Sequence, residues 1–318
     1  MAITVVRYTI HGSTHWGVLH GSKITPIPGD FVTTGELIEC TSTSELAELS
    51  EPILDFTEVE LLSPVTVNQQ FICQGANYRQ HMIDSGMNPD SKNYNMIFTK
   101  AGSCIAPAGT EVVRPEHVKF LDYEIELGLV LRRAVTEATT VTERNLHEFV
   151  AGAVIVNDYS ARDVQLPQGQ FYKGKSYRTF GPVGPYLVLL DAADIPALND
   201  LRLQLTVNGE VRQQDSTANL VHKPAATLTE LSGVVDLAAG DLLATGTPSG
   251  CALAAPKPAL TKLVGLLPEA RKWALFAKIQ SQRPYLQPGD VVEASISSAD
   301  RTIDLGVQRN LIVNGTRA

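Results

Sequence analysis

With 318 residues, 44% of them hydrophobic, the chain is long enough to bury about three quarters of the surface it exposes when unfolded. A formal net charge of -8 with no long basic run argues against a nucleic-acid partner, and no stretch reaches the ~18 apolar residues of a membrane helix. Cys40, Cys73, Cys104 and Cys251 are far apart with no Cys-x-x-Cys pair, so free thiols in a reducing cytoplasm are expected, with no zinc site and no disulfide framework.

In chain order, the first residues read as a strand and lack the basic start and apolar stretch of a signal peptide. Strands at 3–10 and 16–19 and a helix at 43–54 predict a small N-terminal α/β domain over residues 1–63. Pro64 restricts its neighbour and marks the passage into a main domain over 64–318. There, short β-rich runs at 71–73, 96–98, 186–190, 201–207, 241–244 and 291–296 alternate with Gly/Pro turns. Many strands with few helices predict a β-rich α+β fold, a mixed β-roll, and no alternating βαβ units. Asn208-Gly209 between two such runs predicts a type I′ hairpin. Helices are predicted at 77–84, 142–147 and 227–232. Residues 252–282 stand apart as a helical insertion, with helices at 257–264 and 268–279, lying over the β domain or extending a dimer contact.

Three carboxylates carry most of the chemical information. Glu124 and Glu126 are two apart, so on a strand they share one face, and Asp158 ends the apolar run 151–156. Buried carboxylates are costly unless paired, hydrogen-bonded or bound to metal. A half-exposed strand with solvated acids would show the same alternation. If a metal is held, all-oxygen ligation suits Mg2+, Mn2+ or Ca2+ better than zinc.

Residues 169–176, Gly-Gln-Phe-Tyr-Lys-Gly-Lys-Ser, match the phosphate-binding loop pattern letter for letter. That loop needs a strand before it and a helix after it, so that amide groups converge on phosphate. Pro167 precedes the segment, and two prolines and two glycines follow within 177–185, so nucleotide binding is rejected on context. Lys175 remains of interest as a cation near the acids.

Together these segments resemble the fumarylacetoacetate hydrolase family. The matches run in order over about residues 71 to 290: Gly75-Ala76-Asn77-Tyr78-Arg79-Gln80-His81, Asp122-Tyr123-Glu124-Ile125-Glu126, Asn157-Asp158-Tyr159-Ser160-Ala161-Arg162, Gly174-Lys175-Ser176, Thr245-Gly246-Thr247-Pro248-Ser249-Gly250 and Pro288-Gly289-Asp290. The resemblance implies a β-rich roll with a small N-terminal domain, usually homodimeric, and a Mg2+ or Mn2+ ion on Glu124, Glu126 and Asp158. It implies His81 as general base, with Asp84 where the family commonly has a glutamate orienting that histidine. It also implies Lys175 as the cation that neutralises an enolate, and Arg162, Gln165 and Thr247 as substrate contacts. Arg162 has a structural alternative, pairing with Asp163 or with a metal-site acid. The activity implied is hydrolysis of a carbon-carbon bond in an acylpyruvate or related β-diketo acid. A 2-oxo acid decarboxylase, an isomerase or hydratase, and an inert metal-binding scaffold stay open beside it.

Overall fold

The computed structural model describes residues 2–49, 51–90, 94–253 and 267–315, and in it the apolar runs pair into sheets. Among the described residues there are a 13-stranded, a five-stranded and a two-stranded sheet and few helices, and no sheet closes into a barrel. The strand-rich α+β architecture is the one predicted.

Strand Ile125–Leu131 lies at the centre of the large sheet, antiparallel to both Val150–Asn157 and Leu242–Ala244. Phe71–Gly75 runs parallel to Leu242–Ala244, and Met96–Lys100 pairs outside it. All seven residues of Ile125–Leu131 are buried, on both faces. This corrects the half-exposed alternative: central position, with Gly128 allowing Val154 and Val156 to pack close, leaves no solvent face. The strand expected to carry Glu124 and Glu126 also divides. Leu121–Asp122 pairs with Ser160–Ala161, and the chain breaks at Tyr123 and Glu124 before the long strand begins.

Ile3–Ile10 pairs with Leu187–Leu189, so the N-terminal strands continue the large sheet. Val5, Trp16, Leu37 and Leu46 share one apolar core with Phe71, Cys73, Val130 and Val154. The hairpin at Asn208-Gly209 forms in the five-stranded sheet, Val207 opposite Glu210 and both turn residues at positive φ (52° and 82°) as type I′ requires.

Helix boundaries differ from the prediction for local reasons. The segment 43–54 is helical only over Thr43–Ala47, and Thr34–Cys40 precedes it; both begin in a capping box, Thr33 with Glu36 and Ser42 with Glu45. The helix at 77–84 starts at Arg79 because Tyr78 is extended. Residues 142–147 form a turn and a short 3-10 segment, Leu146–Glu148. The predicted helix 227–232 extends to Pro224–Ser232. The predicted helix 257–264 lies outside the described residues, while 268–279 appears as Glu269–Gln280.

Candidate active site

The sheet order brings the acids together. Asp158 N–H donates to the Glu124 carbonyl (2.8 Å), and Glu124 N–H donates to Asn157 Oδ1 (3.0 Å), so the break after Asp122 is stitched to the end of Val150–Asn157. One oxygen from each of Glu124, Glu126 and Asp158 lies within 4.8 Å of the others, and all three side chains are buried.

Three buried cations surround them. Lys175 Nζ is 2.5 Å from Asp158 Oδ2, 2.8 Å from Glu124 Oε2 and 2.8 Å from Ser160 Oγ. Lys100 Nζ is 2.5 Å from Asp158 Oδ1 and 2.8 Å from the Phe180 carbonyl. Arg162 donates to Asp122 Oδ2 (2.9 Å), to Glu124 Oε1 and to Gln165 Oε1 (2.8 Å). Of the two readings of Arg162, the ion pair is with the acids Asp122 and Glu124; Asp163 instead accepts from Lys119 N–H (2.7 Å). Asp122 further accepts from Ala252 and Leu253 N–H (2.8 and 3.0 Å), which ties the start of the insertion to this network.

Burial pushes the Glu124 carboxyl up, but the Arg162 guanidinium and Lys175 ammonium more than reverse this and hold it at about 2. Glu126 goes the other way: burial, then Asp158 and Glu124, raise it well above the usual carboxylate range. Among the described residues its one hydrogen bond comes from Gly246 N–H (2.8 Å). Gly246 is at φ +88°, and a Cβ there would meet Asn77 Cβ at 2.9 Å, so glycine is required for this approach. Burial lowers the two lysines, but Asp158 above all raises both and keeps them charged. With Asp122, four buried acids face three buried cations. A divalent ion fits this donor set: the ligands are all oxygen, and Glu126 is a buried carboxylate that makes no ion pair among the described residues.

A cavity of about 590 Å3 opens above the cluster, lined by His81, Glu124, Glu126, Arg162, Gln165, Lys175 and Thr247. Seven of the nine sequence-predicted site residues therefore face one space, and Asp158 sits beneath it against Glu124 and Glu126. Thr247 is held by Gln213 Nε2 (2.8 Å), whose Oε1 accepts from Ile125 N–H (3.0 Å). His81 reaches the cavity from helix Arg79–Asp84, and burial pushes its imidazole down, against the opposing pull of Glu124. Asp84 is not among the lining residues: it accepts from Gln80 (2.8 Å) and from Ser249 Oγ, and no hydrogen bond joins it to His81.

The phosphate-loop lookalike follows one short helix, Arg162–Gln168, and holds a second, Phe171–Lys175. Gly169 ends the first at φ +61°, and Gly174 lets the second pack on Gln165, where a Cβ would meet the backbone nitrogen at 2.9 Å. Its glycines serve packing that delivers Lys175 to the acids. Sequence reasoning missed Lys100, Asp122 and Gln213. Lys100 had a signal, since it shares a strand face with Phe98, and Asp122 continues the alternation of Glu124 and Glu126.

Comparison with known proteins agrees with this geometry. A family profile described as "Fumarylacetoacetate (FAA) hydrolase C-terminal" matches residues 70–313. The chain belongs to the fumarylacetoacetate hydrolase family. It is 37% identical over 205 residues to an oxaloacetate tautomerase of Bacillus subtilis, a match covering 64% of this chain and 66%, just under two thirds, of that relative. It is 32% identical over 235 residues to a mitochondrial oxaloacetate tautomerase of Xenopus laevis, covering 73% of this chain and 71% of that one. Among solved structures, a fumarylacetoacetate hydrolase from Exiguobacterium antarcticum superposes with a TM-score of 0.75 at 27% identity over 98% of this chain and 100% of that one. A probable 2-hydroxyhepta-2,4-diene-1,7-dioate isomerase from Mycobacterium abscessus superposes with a TM-score of 0.74 at 26% identity, covering 100% of both chains.

Proposed function

We propose that the protein is a divalent-metal-dependent enzyme that forms and holds the enolate of a 2-oxo acid, with keto-enol tautomerisation as its reaction. The observation that carries this reading is the pairing, in one cavity, of the acid-cation cluster with an imidazole to which no carboxylate among the described residues is hydrogen-bonded. Glu124, Glu126 and Asp158 would hold Mg2+ or Mn2+, and the ion when bound supplies Lewis acidity toward the 2-oxo carboxylate end of the substrate.

His81, neutral near pH 7 because burial pushes it down, takes the proton from C3 of the substrate. The C–H electron pair becomes the C2–C3 double bond, and the carbonyl pair moves to the C2 oxygen. Lys175, kept charged by Asp158 and Glu124, faces that developing negative charge. The imidazolium then returns the proton to oxygen and completes the enol. Arg162 fixes Glu124 and Gln165, and Gln213 fixes Thr247, so the cavity floor is preorganised. The tautomerase names of the two relatives support the same chemistry.

Hydrolytic cleavage of an acylpyruvate passes through the same enolate and is the second reading. The cavity favours it, since it has room for an acyl arm. It needs in addition a water activated by His81, and Asp84 is engaged elsewhere. We propose a homodimer, as the family resemblance implies, working in the reducing cytoplasm that the chain's four free cysteines suit.

The test follows enol absorbance of oxaloacetate and acetylpyruvate with Mg2+, Mn2+ or chelator, while assaying carboxylic acid release. Metal-dependent equilibration without acid release is expected. Acid release from acetylpyruvate would transfer the assignment to hydrolase, carbon dioxide release from oxaloacetate to decarboxylase, and no metal-dependent change in any substrate would overturn the enolate reading.

A further inference from the structure

The cavity has two unlike ends. Its floor is the charged cluster, while its outer wall is apolar: Phe98, Phe171 and Met96 on one side, Trp273, Phe276 and Ile279 on the other. The last three recur at helical spacing on Glu269–Gln280, which presents that stripe to the cavity and is anchored from behind, Phe276 lying edge-on to Phe120 (6.2 Å). Phe98 and Phe171 meet edge to face at 5.0 Å, and Lys175 Nζ lies 5.4 Å from the Phe98 ring, so the aromatic wall begins where the charged floor ends. All six of these apolar residues line the cavity and are only partly buried. A cavity of about 590 Å3 is the size of those that take drug-sized ligands, more than a four-carbon diacid fills.

We infer that the substrate is a 2-oxo acid carrying an uncharged apolar arm, aliphatic or aromatic, seated between Trp273 and Phe98, and that the insertion helix sets this specificity. This rests on the enolate reading above and names its substrate class. Among the described residues, a second carboxylate at the arm's far end would find a single further cation in the lining, the exposed Lys272, because Arg162 and Lys175 are already paired with acids. An exposed pair of that kind is weak.

Trp16 is buried in the N-terminal strands, and the chain has two tryptophans, so Trp273 fluorescence reports the arm site directly. The experiment titrates the Mg2+-loaded protein with oxalate, 2-oxobutanoate, 2-oxohexanoate, 2-oxooctanoate, phenylpyruvate and 2-oxoglutarate, following fluorescence and, in parallel, calorimetry. Affinity is expected to rise up to about fourfold per methylene as the arm lengthens. Fluorescence changes should accompany the long and aromatic arms, and 2-oxoglutarate should bind no better than 2-oxobutanoate. Trp273→Ala should flatten the dependence on arm length and Trp273→Phe restore most of it, both with wild-type circular dichroism. Tight 2-oxoglutarate binding that Lys272→Ala removes would overturn the inference, as would affinity independent of arm length while oxalate binds in a metal-dependent way. If no compound, oxalate included, binds in a metal-dependent way, the enolate reading itself fails.

Discussion

Replacing Glu126 by glutamine separates the two roles the site asks of this residue. Glutamine keeps the shape and can still accept from Gly246 N–H, but removes one of three carboxylates whose oxygens lie within 4.8 Å. In chelator the variant should be more stable than wild type near neutral pH, by about 1–4 kcal/mol, since each pH unit through which the folded chain keeps a proton the unfolded chain has lost is worth about 1.4 kcal/mol. For a chain of 318 residues the unfolding entropy is about 0.7 kcal/mol/K, so this is a rise in Tm of roughly 2–6 °C. The sign with pH follows from the upward displacement of Glu126. In acid the folded and unfolded chains both hold the proton and the contribution vanishes. As pH rises through the ordinary carboxylate range the unfolded chain releases a proton that the folded chain retains, and wild-type stability falls relative to the variant. Mg2+ at a hundred times its Kd should then raise wild type by about 2.7 kcal/mol, or roughly 4 °C, and the variant far less. Thermal melts of both proteins across pH, with chelator and with Mg2+ or Mn2+, read all of this. A variant that melts several degrees below wild type in chelator, or that gains as much from metal, would refute the assignment of Glu126 as a ligand held in an acid-rich site.

Lys100→Met leaves the Asp158 carboxylate with one buried cation in place of two, and should cost about 3–5 kcal/mol, a Tm drop of roughly 4–7 °C, with loss of turnover; a wild-type melt would remove Lys100 from the site. His81→Ala should lower kcat by roughly 100-fold or more while leaving the metal-induced Tm shift in place, whereas Asp84→Asn should stay within ~10-fold with an unaltered pH profile. A matching collapse in Asp84→Asn would restore the histidine-carboxylate dyad. We propose that residues 1–63 are a module that the main domain needs: deletion uncovers the core shared with Val5, Trp16 and Leu37, so the remaining chain should bind an apolar dye and lose its cooperative melt, and a sharp wild-type-like transition would show two independent domains.

The acidic triad is legible because strand alternation forces Glu124 and Glu126 to one side and Asp158 closes an apolar run. The reason they meet is not the one alternation gives. Glu124 stands in a break before the strand, and the bond from Asp158 N–H to its carbonyl sets its place. Lys175 and Arg162 are legible as cations near the acids, but Lys100 is not, since it reaches Asp158 from a strand 58 residues away in a sheet whose order departs from chain order. Asp84 illustrates a limit of spacing: one helical turn from His81 permits a pair, but Gln80 and Ser249 compete for the same carboxylate, and Ser249 arrives from a turn 165 residues later. The stripe of Trp273, Phe276 and Ile279 reads as an amphipathic helix from sequence; what its apolar face borders is set by the tertiary fold.

Charge in the site argues for the same substrate class as the cavity wall. Asp122, Glu124, Glu126 and Asp158 against Lys100, Lys175 and Arg162 leave the cluster one negative charge in excess when all are ionised. A divalent ion turns that into one positive charge, and a 2-oxo acid with a single carboxylate brings the assembly to neutrality before any proton moves. Enolisation with His81 as acceptor keeps the total unchanged, because the proton stays in the cavity as imidazolium while the enolate forms beside Lys175. A dicarboxylate would enter one charge further negative and leave the assembly with one uncompensated negative charge. Among the described residues only an exposed cation stands near the outer wall to offset it, so the buried charges favour the monoanion, and the apolar arm adds to a preference that the floor of the site already has.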